Sequence, residues 1–317
     1  MRAIHADQAG GQVRYPGFGR TPVLWDVPSQ TLTDFGVGGA LGTIFGMTAT
    51  HQAGELGGRA SLWSGTPESR VQLWSTPSSA LAIAGDQQVG WTDALAGGNQ
   101  RAAMWRGSMG SYVSLHPAGA TFSYATATDG TFQGGYVERQ TGPNPGGYAV
   151  IWNGTPEPIA TLNPPGHTAQ LLGMVPGQQV GWTVPTTGSP THAALWRGSA
   201  ASWVDLNPSN SSLSQAWATA GTIQVGGYAP NGASLSRACA WFGTAESVVN
   251  LHSLLPPGYI SSVATCVSVV DGITHVGGLA TRDFQNPEAF VWTFVPAPGL
   301  AALLVAAGVL ARGRRPA

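Results

Sequence analysis

The chemistry this 317-residue chain could perform rests on seven histidines, fifteen carboxylates and two cysteines. His5, His51 and His275 stand in similar text of different sequence repeats, so a shared face would allow a metal site, but no ligand spacing is present. His116 and His252 occupy the place that Asn163 and Asn207 hold in other repeats. Interchange of His with Asn indicates a turn or backbone-bonding role. Asp86, Asp129 and Asp271 precede Gly or Gln in loop text and read as turn residues; weak Ca²⁺ contact is open to them, but no D-x-D-x-D loop exists. A glycosidase needs two carboxyls across a pocket, and no Asp or Glu stands apart from a repeat role. G-x-S-x-G, H-E-x-x-H and Walker-type motifs are absent. The residue types imply no cofactor, no metal and no catalytic set.

Cys239 and Cys266 lie among small apolar residues. They could form one disulfide in an exported protein, or stay as two buried thiols. Twelve tryptophans remain, and seven of them recur at one repeat position. Trp74, Trp203 and Trp217 break that pattern and are the candidates for ligand-contacting aromatics.

The elements that must position these residues are repeats. A small residue, two mostly apolar residues and Trp recur, usually followed by x-Gly, at Trp25, Trp63, Trp105, Trp152, Trp196, Trp241 and Trp292. The spacings of 38, 42, 47, 44, 45 and 51 residues are those of a propeller blade. Ten residues after six of the tryptophans stand Phe35, Leu73, Leu115, Leu162, Leu206 and Leu251. Strands of alternating small and apolar residues follow, and then Gln-Val-Gly-aromatic text such as Gln88 to Trp91 and Gln179 to Trp182. Four short strands per unit predict an all-β, seven-bladed β-propeller over residues 1–294. The chain opens in mid-repeat and passes its seventh Trp near the end. One blade shared by N- and C-terminal strands is therefore expected to close the ring. Six or eight blades, or a linear solenoid, are the alternatives.

Composition agrees with a strand-rich fold. Only 9% of residues are charged, Gly (45) and Pro (23) are abundant, and 43% are hydrophobic. There is no lysine. Before residue 295 eleven arginines face fifteen carboxylates, a net of −4, which disfavours nucleic acid.

Residues 295–317 differ in kind. Val295, Pro296, Ala297, Pro298 and Gly299 precede an apolar run, and Arg312, Arg314 and Arg315 follow it. A helix over about 298–311 would be roughly 21 Å long, a marginal membrane anchor. The arginines would stay in the cytoplasm and the body outside it. These residues resemble a PEP-CTERM sorting signal, with Ala297 where Glu is usual. The resemblance implies an exported protein whose partner is an exosortase-type membrane protease. Such a protein is tethered to the inner membrane through lipid contact of the helix, then processed to the cell surface or beyond. The text from Met1 to Asp7 has no apolar signal core, so a start upstream of Met1 is expected. The repeats themselves are similar to HAF-type bacterial extracellular repeats. The best copy is Ala193 to Trp196 with Val204 to Leu206 and Gln224 to Gly226. Together these features imply an exported, non-catalytic propeller that acts as a surface or matrix interaction module. A carbohydrate-binding propeller, or less favourably a glycoside hydrolase or lyase, is the alternative. Its partner would be extracellular polysaccharide or another surface protein.

Overall fold

The computed structural model describes the chain except residues 16–18, 37–38, 94–97, 141–145, 284–285, 298–299 and 310–317, and it describes 295–309 by backbone only. Seven antiparallel sheets of four strands each follow one another along the chain. They span residues 3–34, 42–72, 78–114, 122–161, 167–205, 211–250 and 261–309 and are numbered here as blades 1 to 7. The first strand of each blade packs against the first strands of both neighbours, blade 7 against blade 1 included, so these strands ring a central channel.

Blade count and strand count match the sequence reading; the phase does not. The repeat tryptophan lies on the third strand of its blade, and a fourth strand of only two residues follows it in blades 2 to 6. The opening text is therefore a first strand (Ala3–His5) and a second strand (Gln8–Tyr15) of a blade completed by Gly19–Asp26 and Thr31–Asp34. No blade is shared between the termini. The ring closes by packing: Met1, Ile4, Val13 and Trp25 of blade 1 cluster with Cys266, Ala289 and Val291 of blade 7. The Thr265 hydroxyl also donates to the Met1 carbonyl (3.0 Å).

A second correction concerns the tail. Leu300–Val309, expected as helix, is the fourth strand of blade 7 and pairs with Glu288–Ala297, Leu303 opposite Val295. An apolar run with no polar positions carries no period to choose helix over strand. The open edge of the third strand supplies backbone partners. Among the described residues no helix is long and apolar enough to cross a membrane. Pro298, Gly299, Arg312, Arg314 and Arg315 lie outside the described residues.

The recurring motifs now have physical causes. Each seam between blades holds an apolar cluster, and the repeat tryptophan sits in it against the preceding blade, at most 2% exposed. The Gly two residues after Trp adopts positive φ (Gly65, Gly107, Gly154, Gly198 and Gly243; 68–90°), a conformation that favours glycine. Its N–H donates to the Gln of Gln-Val-Gly text: Gly65 to Gln52, Gly107 to Gln88, Gly154 to Gln133, Gly198 to Gln179 and Gly243 to Gln224, at 2.7–2.8 Å. These glutamines are buried, so the bond satisfies a polar group that would otherwise be costly. The two motifs are one interaction: the second strand holds the turn that ends the third.

The Gly of Gln-Val-Gly has a different reason. A Cβ on Gly181 would lie 1.9 Å from the Gln170 carbonyl oxygen. Gly54, Gly90, Gly135 and Gly226 face carbonyls of their own first strands at 1.9–2.1 Å. The approach is close because the first strand bulges opposite that glycine in blades 2 to 7.

Candidate functional site

Two end faces and one channel are available. One end carries the turns between first and second strands and between third and fourth strands; it is called the turn face. The other carries the loops from second to third strands and the blade-to-blade connections; it is called the connection face.

Most of the polar residues singled out in the sequence serve the scaffold. Ser78, Ser123, Ser214 and Ser262 on first strands accept the backbone N–H of Ala60, Ala102, Ala193 and Ala238 in the preceding blade, each at 2.9 Å. His116 Nδ1 lies 2.8 Å from the Ser123 hydroxyl and His252 Nδ1 2.8 Å from that of Ser262; Ser214 donates to Asn207 at 2.7 Å. Asn163 replaces the serine and accepts from Ala149 N itself (3.0 Å). The His/Asn position is thus a seam-bonding position, as its interchange suggested. Burial lowers the pKa of both His116 and His252. Both therefore bind protons less readily folded than unfolded. Their contribution is complete above the unfolded value near pH 6.5, falls as pH drops below it, and is lost below the folded pKa. His252→Asn should keep the melting temperature at pH 8 and lose less of it between pH 6.5 and 5, measured by thermal melts across pH.

On the turn face, His5 and His51 do converge. With Thr48, Thr50, Asp86 and Arg106 they line a cleft of about 650 Å³ across blades 1 to 3. His275 lies at the seam of blades 7 and 1, where burial lowers its pKa and the Asp7 charge opposes that shift. Asp86 is tied to Arg106 at 2.5 Å, and His51 Nδ1 lies 2.8 Å from the Thr50 hydroxyl. Asp129 accepts from Thr131 and Phe132 N–H, a turn role. Among the described residues no three His, Cys, Asp or Glu could hold a metal ion. The cleft offers a paired Arg and two imidazoles but only one carboxylate, so its lining does not supply the two facing carboxyls of a glycosidase.

Cys239 lies in the seam cluster of blades 5 and 6 and Cys266 in that of blades 7 and 1, both as buried free thiols. Burial pushes the Cys266 thiol up to about 11, so neither cysteine is poised as a nucleophile.

The three off-pattern tryptophans separate. Trp74 stacks on Tyr112 of the next blade, with centroids 4.2 Å apart, and Trp203 packs against His167 at 5.1 Å. Both rings are half-buried and join seam clusters. Trp217 is different. It is the extra residue of the blade 6 bulge, without a register partner, between Ala216 and Ala218.

That register position recurs once per blade. It holds Phe45, Leu81, Thr126, Leu172, Trp217 and Thr265 in blades 2 to 7. In blade 1 it holds Arg2, whose N–H bonds the Gly10 carbonyl just ahead of the Ala3–Gly10 pair. All seven residues are partly or fully exposed although they sit on or beside first strands at the centre of the ring. The Thr126 hydroxyl donates to Leu171 O in the next blade (2.6 Å), and Thr265 reaches Met1 in the same way. The channel wall therefore bears a ring of two aromatics, two leucines, two threonines already bonded, and one guanidinium. Only Trp217 of this ring stood out in the sequence. The signal for the rest is one residue too many in the alternating text, which shows only when repeats are aligned on the bulge.

A second aromatic group lies toward the connection face of blade 4. The rings of Phe122, Tyr124 and Tyr136 cluster with centroids 5.5–6.2 Å apart and interplanar angles of 10–35°. Gln170 donates to the Tyr124 hydroxyl (2.7 Å), and the Tyr136 hydroxyl donates to Glu138 (3.2 Å). Burial pushes Tyr124 up to about 12 and Tyr136 higher still, so both remain hydroxyl donors.

No family model and no curated protein matches the chain in sequence. Solved structures do match in fold. The β-propeller domain of the Trilobed protease from Pyrococcus furiosus, which has an open velcro topology, aligns with a TM-score of 0.60 at 11% identity. The match covers 99% of this chain and 97% of that one. A prolyl endopeptidase aligns with a TM-score of 0.51 at 11% identity over 92% of this chain and 46% of its own. TolB from Acinetobacter baumannii aligns with a TM-score of 0.48 at 13% identity over 77% of this chain. The chain spans 63% of the length of TolB in that match. At these identities the likeness is one of fold, an all-β propeller.

Proposed function

We propose that this chain is a non-catalytic binding propeller that takes its ligand at the central channel and the connection face around it, and that it works outside the cytoplasm. The observation that carries the binding reading is the ring of bulge residues without register partners, with Phe45 and Trp217 part-exposed on the strands that surround the channel while the seam polar groups are consumed by the scaffold. Aromatic faces next to hydroxyl, amide and carboxylate groups suit a saccharide, whose C–H faces stack on rings while its hydroxyls bond polar groups. Carbohydrate is therefore the favoured ligand class, ahead of another surface protein.

Residues 295–317 act in this reading as the sorting segment handled by an exosortase-type membrane protease. Support comes from the uncharged stretch of residues 294–311 and the arginines after it. The run 300–309 then has two uses: membrane anchor before processing, and edge strand of blade 7 when no membrane is present.

The test is retention of the intact chain on immobilised polysaccharides and a glycan array, with Trp217→Ala beside Trp74→Ala. Trp217→Ala should weaken binding about tenfold, the loss of one stacking platform. Trp74→Ala should bind as the parent does. Equal binding by all three proteins would overturn the channel assignment. Fractionation with and without residues 295–317 tests the sorting role; an intact chain confined to the cytoplasm of its native host would overturn it.

A further inference from the structure

Charge is scarce in this chain, at 9% of residues, yet blade 1 carries Arg2, Arg14 and Arg20. Arg14 and Arg20 are direct register partners on the second and third strands. Partners opposite each other in an antiparallel pair have Cα atoms about 4.5–5.5 Å apart, where like charges repel. Both are exposed. Among the described residues, no carboxylate forms an ion pair with Arg2, Arg14 or Arg20, although acids outnumber arginines in the propeller and are paired elsewhere, as in Arg106–Asp86 and Arg282–Glu288.

Arg2 adds to this pair from the channel wall, as the one charged member of the bulge ring. Arg2 precedes the first strand of the same four-stranded sheet, and its backbone N–H is held by Gly10 of the strand that carries Arg14. Beside the pair lies Leu41, 54% exposed, whose methyl group fills the space over Gly19. The seam below is closed by the Thr43 hydroxyl on Gln12 (2.6 Å). The result is a facing pair of arginines at the connection end of blade 1, beside an exposed leucine, with a third arginine just ahead of the channel-side strand of the same sheet. A fold gains no stability from that arrangement.

We infer that the ligand is an anionic saccharide, with the guanidiniums of Arg2, Arg14 and Arg20 binding successive acidic groups while the channel aromatics stack on the sugar rings. The inference rests on the binding reading above and deepens it. Guanidinium forks match carboxylate and sulfate alike through paired N–H donors. Several cations fit a chain that repeats its charge better than a ligand with one. Because the propeller is net negative, attraction is local to these arginines and should be short-ranged in salt.

The experiment is direct binding of the full chain to three probes of equal length: oligogalacturonate, sulfated oligogalactose and neutral oligogalactose. We expect oligogalacturonate to bind at least about tenfold tighter than the neutral probe at low salt and to lose that advantage by about 0.5 M NaCl. Arg14→Gln with Arg20→Gln should erase the advantage without lowering the melting temperature, since a repulsive pair is removed. Arg2→Gln should weaken binding in the same direction, and Arg197→Gln, on the turn face, should not. Preference for the sulfated probe would keep the inference and identify sulfate as the acid. Equal binding of neutral and acidic probes, still sensitive to Trp217→Ala, would overturn the anionic assignment and leave the binding reading standing. Failure of all three probes, with Trp217→Ala inert on every other glycan, would remove both. The salt profile of the parent needs no variant, so a misfolded mutant cannot rescue the inference.

Discussion

Gly181→Val is expected to abolish the folded propeller. Any Cβ at this position would stand 1.9 Å from the Gln170 carbonyl oxygen, a backbone atom that cannot rotate away. The carbonyl belongs to the first strand just before its bulge, and that strand packs on its neighbours around the channel. Relief would require the bulge to open and the seam with blade 4 or blade 6 to separate. The expected loss exceeds about 4 kcal/mol, the range reserved for severe backbone conflict. A fold of marginal stability does not survive that loss. Gly177→Ala is the contrast. Gly177 has φ of +73° at a turn, with nothing within 4 Å of the methyl group that alanine would add, so its loss should be about 1 kcal/mol from conformation alone. Soluble yield and urea unfolding of the two variants separate steric exclusion from turn preference.

Trp196→Ala should cost about 3–5 kcal/mol, as expected for removing a large buried ring. The side chain is fully buried in the seam of blades 4 and 5 among Ala127, Ile151, Leu162, Leu171 and Met174. Its indole N–H has no hydrogen-bond partner among the described residues, so Trp196→Phe loses area and little else. Trp152 differs: its N–H donates to the Pro156 carbonyl at 3.2 Å. Trp152→Phe should therefore be the more damaging of the two phenylalanine variants, by about 1 kcal/mol. Chemical denaturation reads both. Equal losses would mean that the Pro156 bond carries no net stability.

The repeat was legible in the sequence because each copy of Trp-x-Gly and Gln-Val-Gly obeys the same local demand. Gly198 must bend, and Gln179 must hold its N–H, in every blade of that type. A repeat gives a period, however, and not a phase. Nothing in the order of motifs says that Trp25 ends a third strand and not a first one, so closure by a shared blade was the natural expectation. Packing at Met1, Trp25 and Cys266 decides otherwise. The tail is ambiguous for a related reason. Leu300–Val309 has the same apolar character whether its backbone bonds are made along a helix or across to Glu288–Ala297.

The site was legible only at its odd residue. Trp217 stands out because it is a tryptophan off the repeat position, whereas Phe45, Arg2 and the Leu and Thr residues at the same register position look ordinary in the sequence. Trp74 and Trp203 stood out equally, yet Tyr112 and His167 take up their rings. The choice among them depends on neighbours contributed by other elements. Arg14 and Arg20 looked like isolated charges in the sequence; they become a pair only through the register of their two strands.

Backbone hydrogen exchange of the full chain, with and without bound oligogalacturonate, tests the central claim most directly. The channel-facing edges of the first strands lack cross-strand partners, so a ligand seated there must slow their exchange. Protection is predicted in Gly42–Met47 and Ser211–Thr219, around Phe45 and Trp217, and at Arg14 and Arg20. Protection confined instead to residues 48–51, 85–88 and 106–108, the cleft of His51, Asp86 and Arg106, would place the ligand on the turn face and contradict the account.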